Sequence, residues 1–271
     1  MNYQHENTPG KAGNKREVPH PDENRAVKAL IGTSGWQYPD FSDRFYPDKL
    51  EKSQQLGYYA DQFPAVEVNN TFYQLPTQET IEKWLQSAPD DFIFAVKASR
   101  YITHMKNLLD PEDTLPEFYK RIASFGDQCG PILLQLPPRW KVNLERLKNF
   151  LPHLSGEFRH AIEFRNKSWL TDEVYELIRR YNVAFCIYDF NYHQSPRLVT
   201  TDFVYVRLHG PGQAYHDPYD LDSLQHWARR ILSWCCKDYA VYCFFDNTFR
   251  GYAWENAQTL LSSLRKLLNS R

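Results

Sequence analysis

The sequence predicts one α/β domain, a (β/α)8 barrel of the TIM type with a disordered N-terminal tail. Eight short runs rich in β-branched and aromatic residues recur along the chain, and several of them are apolar on both faces. Such runs are typical of buried parallel strands. Amphipathic segments with a period of about 3.6 residues lie between most of them. The span from Lys28 to the end, about 245 residues, matches such a barrel in length.

The strands are predicted in order from these apolar runs. The main alternative is an open, doubly wound sheet, which usually carries a glycine-rich phosphate loop after its first strand. Here the first strand runs into Gly32-Thr33-Ser34-Gly35-Trp36, which lacks the GxGxxG spacing. The eight predicted strands are Ala29–Gly32, Ala65–Asn69, Phe92–Ala98, Ile132–Leu136, Ala161–Phe164, Ala184–Tyr188, Phe203–Leu208 and Val241–Phe245.

Several helices are predicted from a capping residue followed by one apolar face. Thr77, Asn143 and Thr171 each precede such a run, and we expect each to cap a helix N-terminus. Another helix is predicted after Thr114, with Pro116 near its first position.

The remaining connections follow weaker or longer patterns. A first helix near Ser53–Gln62 has a weak signal because it contains Gly57. Two longer apolar periods begin at Leu221 and Ala253 and predict the last two helices. After the sixth strand, only a short connection through Asn191–Pro196 is expected.

The domain boundary is placed where the composition changes. Residues 1–27 are predicted to be a flexible tail, and residues 28–271 to be the barrel domain. As far as Arg25, the only aliphatic residue larger than alanine after Met1 is Val18. Such a stretch cannot bury enough apolar surface to offset its ordering entropy.

Composition narrows the expected partners. The net charge is −1, so no general attraction to nucleic acid or to an anionic membrane is expected. No apolar run reaches the roughly 18–20 residues of a membrane span, and the N-terminus has no apolar core of a signal peptide. The five cysteines form no CxxC pair, which is typical of reduced thiols in a cytoplasmic protein.

Polar residues fall at the C-terminal ends of seven consecutive predicted strands, where such barrels carry their chemistry. Alternation places Glu67 with Asn69 on one strand face, and Arg207 with His209 on another. Charged groups inside apolar strands cost several kcal/mol unless they are paired or functional. We therefore expect a functional pocket. The alternative is an internal salt-bridge network that only holds the strand register.

Three of these residues are predicted to be catalytic: Glu67, Glu163 and His209. An imidazole is suited to proton transfer because its unperturbed pKa lies near neutrality, and a carboxylate would act with it. The alternative is that His209 is a buried core histidine whose ring nitrogens are hydrogen-bonded to other protein groups. A pair of carboxylates acting on a glycoside is a further possibility, which depends on their separation.

A wider set of residues is predicted to bind substrate. The cations among them suit a phosphate or carboxylate, although they also suit structural glutamates. The aromatic rings either stack on substrate or pack the barrel rim. The predicted substrate-binding residues are Asn69, Lys97, His104, Gln135, Arg165, Arg207, Asp246, Asn247, Trp36, Tyr73 and Trp169.

A divalent metal is a second possibility for the same region. Glu67, Glu163, Asp189 and Asp246, together with His209, are ligand types that such ions accept. However, no compact motif such as HExxH is present, and nearby lysine and arginine side chains compete for the carboxylates. We therefore assign no metal ligand, and the identity of any cofactor is left undecided.

Seven motifs in order along the chain carry a family resemblance. They are Gly32-Thr33-Ser34-Gly35-Trp36 with Phe45-Tyr46-Pro47, Glu67-Val68-Asn69-Asn70-Thr71-Phe72-Tyr73, Lys97 with Ile102-Thr103-His104, Leu134-Gln135-Leu136-Pro137-Pro138, Glu163-Phe164-Arg165 with Ser168-Trp169, Arg207-Leu208-His209-Gly210, and Asp246-Asn247 with Gly251-Tyr252-Ala253. With these motifs the sequence resembles the domain-of-unknown-function 72, or YecE-like, family.

The resemblance implies a TIM-type barrel with a common pocket at the strand ends, but it implies no established activity. Two positions depart from the family pattern. Phe41 stands where the family often has Trp, and Asp246 stands where Asn is expected. The second change adds a negative charge at the mouth of the pocket.

Three functions are consistent with these features. The first is an enzyme that acts on a small polar substrate, expected to be anionic, by acid/base chemistry. The second is a metal-dependent hydrolase or isomerase, acting on nucleic acid or sugar. The third is a non-catalytic binding protein. Whether the protein is an enzyme therefore stays open. A small-molecule substrate is the expected partner, and no membrane partner is expected. Nucleic acid is disfavoured as a partner but is kept as an alternative.

Overall fold

The computed structural model describes residues 28–42 and 44–270, so the predicted tail at residues 1–27 lies outside the described part of the chain. Within that part, eight parallel strands form a nearly closed barrel, which confirms the predicted fold class. A ninth, two-residue strand pairs antiparallel with its neighbour. The strands are β1 (Ala29–Thr33), β2 (Ala65–Val68), β3 (Ile93–Lys97), β4 (Cys129–Gln135), β5 (His160–Glu163), β6 (Val183–Phe190), β7 (His193–Gln194), β8 (Phe203–Leu208) and β9 (Ala240–Phe245).

All eight predicted strands are confirmed, with small shifts at their ends. Around the barrel they follow the order β1-β9-β8-β6-β5-β4-β3-β2. The largest shift is at β4, which begins at Cys129 rather than at Ile132. The predicted strand begins after Gly130 and Pro131, because glycine and proline are uncommon inside strands. The structure includes both residues, since proline is tolerated near the start of a strand.

The barrel closes at the seam between β1 and β2. A single parallel bridge between Ser34 and Glu67 joins the two strands. Below it, the hydroxyl of Tyr59 accepts a hydrogen bond from the Thr33 amide at 2.8 Å and donates to the Ala65 carbonyl at 3.2 Å. One side chain thus replaces part of a backbone ladder. Gly32 fits this seam because a Cβ there would collide with the Ala65 carbonyl oxygen and the Tyr59 hydroxyl.

The helices pack around the strands, and three of the predicted caps are confirmed. Thr77, Asn143 and Thr171 each accept a hydrogen bond from an amide in the first turn of the following helix. The helices are α1 (Gln55–Gln62), α2 (Asn70–Tyr73), α3 (Gln78–Ser87), α4 (Pro111–Ile122), α5 (Leu144–Phe150), α6 (Asp172–Arg180), α7 (Leu221–Cys235) and α8 (Tyr252–Asn269).

One predicted helix start is wrong. α4 begins at Pro111, so Thr114 lies inside the helix and is not its cap. Pro111 occupies the first helical position, where its missing amide costs nothing. Pro116, which is predicted near the first helical position, lies within the helix instead. Between β6 and β8 the structure has the β7 hairpin and no helix in residues 191–202, as predicted.

The barrel interior is filled by side chains and is not an open pore. The outer faces of the strands pack against the helices in a large apolar cluster. Inside the barrel, a second cluster brings alanines of β2, β3, β5 and β6 together with large rings of β8 and β9. Its buried members are Ala65, Ala95, Leu133, Ala161, Ala184, Cys186, Phe203, Tyr205, Ala240, Tyr242 and Phe244. Across residues 28–42 and 44–270, none of the helices has the length and apolar character needed to cross a bilayer.

Candidate functional site

Arg207 lies at the centre of a buried charge network at the C-terminal end of the barrel. It binds Glu67 through two nitrogens, with Nε 2.9 Å from Oε2 and Nη2 2.7 Å from Oε1. Nη1 donates to Glu163 at 2.9 Å, and Nη2 donates to Asp246 at 2.9 Å. The side chains of Arg207, Glu67 and Glu163 are 0% exposed, whereas that of Asp246 is 13% exposed. One guanidinium thus binds three carboxylates from three different parts of the chain.

The inward alternation of the strands builds this network. Tyr205 lies two residues before Arg207 on β8, and its hydroxyl donates to Glu67 at 2.7 Å. Ser34, directly after β1, donates to the other Glu67 oxygen at 2.7 Å. Each Glu67 oxygen therefore accepts from a hydroxyl as well as from Arg207. A buried carboxylate needs this degree of pairing to remain charged.

Glu163 has a second cationic partner, Arg165, through an ion pair to its Oε1. Burial raises the pKa of Glu163, but Arg165 and Arg207 outweigh it and hold that pKa at about 2. The Arg165 guanidinium also stacks on Phe190, with its central carbon 3.8 Å from the ring centroid. Arg165 is consequently committed to protein groups on several sides.

His209 lies between the two arginines and Asp246. Its Nε2 is 2.9 Å from Arg165 Nη2 and 3.3 Å from Arg207 Nη1. Because a guanidinium can only donate, Nε2 must be the accepting nitrogen, and we assign the ring proton to Nδ1, which is 3.0 Å from Asp246 Oδ2. Burial and then the two arginines lower the pKa of His209 well below its usual value. The ring is therefore neutral, with Nε2 facing the arginines and Nδ1 close to Asp246.

Lys97 ends β3 and lies beside this network without joining it. Its ammonium is 4.5 Å from the centroid of the Phe72 ring. Among residues 28–42 and 44–270, no carboxylate oxygen lies within 4.0 Å of its Nζ. Burial first, and then Arg207, lower the pKa of Lys97 to about 8, although three carboxylates oppose them. Lys97 thus differs from the arginines, which bind carboxylates directly.

A rim of loop residues surrounds Lys97. His104, on a π-helical turn at Tyr101–Met105, packs edge-on against Phe72 with centroids 5.0 Å apart. Burial, followed by Lys97 and Arg100, lowers the pKa of His104 to about 4. The rim therefore presents a neutral imidazole beside the lysine.

Asn69 directly follows β2, the strand that pairs with β3 and so with Lys97. It lines a cavity of about 70 Å³, together with Trp36 and Tyr38. The Asn69 Oδ1 is buried without a hydrogen-bond partner within the described residues. The Tyr38 hydroxyl donates to the Ser34 carbonyl, which places this tyrosine over the end of β1.

Two other predicted site residues, Trp169 and Asn247, make their contacts with protein groups outside the charge network. Trp169 is completely buried, stacks on Phe164 with centroids 5.1 Å apart, and donates its Nε1 to the Trp140 carbonyl at 2.8 Å. The structure does not bring it to the charge network. The Asn247 amide nitrogen is bound by Asn256 at 2.9 Å and by the Asp217 carbonyl, which ties it to α8.

The remaining three predicted residues lie at different depths. Gln135 pairs with Glu163 in the register of β4 and β5, so it ends its strand beside the network. Trp36 packs edge-on against Trp84 with centroids 5.3 Å apart. Tyr73 is 78% exposed and lies in a separate surface groove. Of these three, only Gln135 is adjacent in the sheet to a member of the network.

Asp189 does not join the other carboxylates, contrary to the sequence-based expectation. Cys186 on the same strand faces the interior, with its Sγ 3.9 Å from Glu163. Asp189, three residues further along, therefore lies on the opposite strand face. There it accepts from Gln194 and lines a separate cavity of about 240 Å³ with Arg197 and other polar residues.

Several residues that the structure brings to the site are not among those predicted from the sequence. Tyr205 and Ser34 carried a usable signal, because one alternates with Arg207 and the other follows a barrel strand. Phe190 and Tyr215 carried none. Their rings lie 5.3 Å and 5.5 Å from that of His209, where Phe190 ends β6 and Tyr215 comes from the loop after β8.

The possible metal site is not formed by the described residues. Across residues 28–42 and 44–270, no group of three or more histidine, cysteine, aspartate or glutamate side chains is arranged to hold a metal ion. The physical reason is Arg207, which takes oxygens of Glu67, Glu163 and Asp246 that a cation would need.

Comparison with families and curated proteins gives a consistent result. The model of the family described as "Protein of unknown function DUF72" matches residues 30–270. The chain is 26% identical over 269 residues to the UPF0759 protein YunF of Bacillus subtilis, covering 86% of this chain and 94% of the relative. It is 34% identical over 137 residues to the UPF0759 protein YecE of Escherichia coli K12, which covers 50% and 48% of the two chains.

Solved structures agree with the fold. A DUF72 family protein from Thermotoga maritima is 28% identical and superposes with a TM-score of 0.76, covering 89% of this chain and 99% of that one. A DUF72 family protein from Enterococcus faecalis is 19% identical with a TM-score of 0.75, covering 88% and 95%. At this lower identity, the likeness concerns the fold alone.

Proposed function

Since the chain belongs to the DUF72 family, which is described only as having unknown function, we propose from the site that it is an enzyme acting on a small polar substrate with an anionic group. The anionic group is a phosphate or a carboxylate, and it binds at the mouth of the barrel next to Lys97. The observation that carries the proposal is the position of Lys97 at a strand end, with its ammonium over a ring and not against a carboxylate. Barrel strand ends are where such enzymes hold their substrates.

An anionic ligand complements this lysine. A cation removed from water without a direct anionic partner is costly, and the lowered pKa of Lys97 expresses that cost. A phosphate or carboxylate next to Nζ restores the missing counter-charge. Arg207 and Arg165 already bind carboxylates, so they are less available to a ligand. Arg100 adds positive charge near His104 at the same rim.

Asp246 is the carboxylate that best suits proton transfer in this proposal. Its side chain is 13% exposed, whereas those of Glu67 and Glu163 are 0% exposed. A carboxyl group with a pKa of about 2, such as Glu163, is also a weak base. We assign to Glu67 and Glu163 the task of holding Arg207, and to His209 that of positioning Arg165 and Asp246.

A purely structural network is the second candidate. The complete burial of Arg207, Glu67 and Glu163 favours it, because a network that only holds the strand register does not need to be reached by a ligand. The two candidates differ in what they require of Lys97. An enzyme needs this lysine to contact a ligand, whereas a structural network does not.

Ligand binding tests the proposal. The melting temperature of the full chain is measured with inorganic phosphate, sugar phosphates and small carboxylic acids, each with and without Mg²⁺, Mn²⁺ or Zn²⁺. At least one anion is expected to stabilise the wild type by mass action, and Lys97→Met is expected to weaken that binding by about tenfold or more. Lys106→Met is the matched control, because Lys106 lies nearby and pairs with Asp110.

Equal stabilisation of the wild type, Lys97→Met and Lys106→Met would contradict the proposal. So would the absence of stabilisation by every anion. Stabilisation that requires a metal ion, and that survives in Lys97→Met, would favour the metal-dependent alternative.

A further inference from the structure

We propose that Lys97 is an amine nucleophile that forms an imine with an aldehyde or ketone group of the substrate. The substrate class is then a small carbonyl compound with a phosphate or carboxylate. This assignment rests on the proposed function, because it concerns the same site. It goes further, since Lys97 becomes a catalytic residue that bonds to substrate and is no longer only a binding cation.

The position of Lys97 suits a nucleophile. A lysine that is ion-paired with a protein carboxylate stays protonated before substrate binds, so it has no lone pair with which to attack a carbonyl carbon. Within the described residues, the Lys97 ammonium has a ring face at 4.5 Å and no carboxylate oxygen within 4.0 Å. Lys106, directly after the π-helical turn, shows the contrasting arrangement, with its Nζ 2.7 Å from Asp110.

The surroundings also supply the neutral amine. Burial and Arg207 lower the pKa of Lys97 to about 8, so about half of the amine is neutral at pH 8. By contrast, the pKa of Lys106 is raised by its hydrogen bond and charge interaction with Asp110. The titratable groups around Lys97 come from several elements. They are Glu67 from β2, His104 from the π-helical turn, Glu163 from β5, Arg207 from β8, His209 after β8 and Asp246 after β9.

The bonds and protons balance without an oxidant. The Nζ lone pair forms a C–N bond to the carbonyl carbon, and the carbonyl π electrons move to oxygen. The Asp246 carboxylate takes one N–H proton and passes it to that oxygen, which becomes a hydroxyl. The nitrogen then expels the hydroxyl as the C=N bond forms, and the second N–H proton passes through Asp246 to the departing group, which leaves as water. Amine and carbonyl thus give imine and water. Asp246 interacts electrostatically with Lys97, and it is the partly exposed carboxylate of the network.

Reductive trapping tests the inference on the wild-type chain. The smallest carbonyl probe, formaldehyde, is applied with sodium cyanoborohydride at pH 7, and the methylation rate of each lysine is followed by peptide mass spectrometry. The hydride of cyanoborohydride reduces the imine and makes the bond permanent. Lys97 is expected to be methylated about tenfold or more faster than Lys106, because a larger fraction of its amine is neutral. Methylation of Lys97 no faster than that of Lys106 would overturn the inference.

A second arm uses carbonyl compounds that carry an anion. Dihydroxyacetone phosphate and pyruvate are each applied with borohydride at pH 8, and glycerol phosphate serves as the control without a carbonyl. One adduct per chain is expected with at least one carbonyl probe, located on Lys97 and absent from Lys97→Arg and from the glycerol phosphate sample. Adducts spread equally over the exposed lysines of wild type and variant would contradict the inference.

The outcomes for the two proposals are separable. If an anion stabilises the wild type through Lys97 but Lys97 reacts no faster than Lys106, the imine is excluded and the proposed function stands. If no anion binds and no adduct forms on Lys97, both fail.

Discussion

Arg207 shows how the stability of a buried charge depends on its whole set of partners. It binds Glu67, Glu163 and Asp246 while it is completely enclosed. Removing one partner from such a set leaves a charge without compensation, which costs about 3–5 kcal/mol. The carboxylates are therefore part of the folded state as well as of the candidate site.

The first prediction concerns Glu67. Glu67→Gln is expected to lower the free energy of unfolding by about 3 kcal/mol, because an amide cannot accept on both sides from Arg207, Tyr205 and Ser34. Urea denaturation of the purified variant measures it. Glu79→Gln, on the exposed face of α3, is the control and is expected to leave the free energy of unfolding almost unchanged. Equal stability of the two variants would contradict the structure.

Much of the charge network is predictable from alternation within strands. Glu67, Glu163 and Arg207 each lie on a short apolar strand, so the period of two directs them inward together. The environment of His209 was not predictable, because its contacts with Arg165 and Asp246 depend on how strands from distant parts of the chain are arranged. Trp169 was not predictable either, since its packing depends on loop folding.

At the level of elements, the seam between β1 and β2 depends on one side chain of α1. The Tyr59 hydroxyl links the Thr33 amide to the Ala65 carbonyl where a strand ladder would otherwise run. A helix thus contributes a hydrogen-bonding group to the sheet. A substitution of Tyr59 on α1 is therefore expected to weaken the contact between β1 and β2, although neither strand is changed.

The second prediction is that Tyr59→Phe opens this seam locally. The Thr33 amide and the Ala65 carbonyl lose their partner in a buried position, which costs about 1–3 kcal/mol. Urea denaturation measures that cost, and amide hydrogen exchange is expected to show faster exchange at Thr33. Tyr58→Phe, one residue earlier on α1, is the matched control. Unchanged protection of Thr33 in Tyr59→Phe would refute the role of the hydroxyl.

The elements differ in how well local sequence predicts them. β8 was predicted to the residue because Phe203–Leu208 is a continuous apolar run with one charge. The start of α4 was missed because Asp110 adopts a left-handed conformation before Pro111, and no local pattern requires that turn. The π-helical turn that carries His104 was also missed, since such turns have no sequence signature.

For the molecule as a whole, three neutral histidines predict loss of stability in acid. Burial lowers the pKa of His104 to about 4 and that of His160 to about 4, and it contributes to the low pKa of His209. Between pH 6.5 and pH 4 the unfolded chain therefore binds more protons than the folded one, so the free energy of unfolding falls as the pH falls. Glu163, with its lowered pKa, acts in the same direction below about pH 4.5.

His160 isolates one part of this effect. Between pH 7 and pH 5 its neutral state is expected to account for about 2 kcal/mol of the loss. His160→Asn should therefore flatten the decline of unfolding free energy with pH, measured by urea denaturation at each pH. His153→Asn, at an exposed position, should leave the decline unchanged. A slope that is the same in wild type and His160→Asn would count against the neutral, buried imidazole.

The filled barrel interior has a consequence for inheritance and recombination. Alanines from β2, β3, β5 and β6 share one buried cluster with the large rings of β8 and β9. Because protein interiors are close-packed, a larger residue in place of one of these alanines is expected to require a smaller ring on β8 or β9. The two segments are therefore expected to descend as a matched pair. Chimeras that take β8 and β9 from a distant relative should fold only when those alanines come from the same parent.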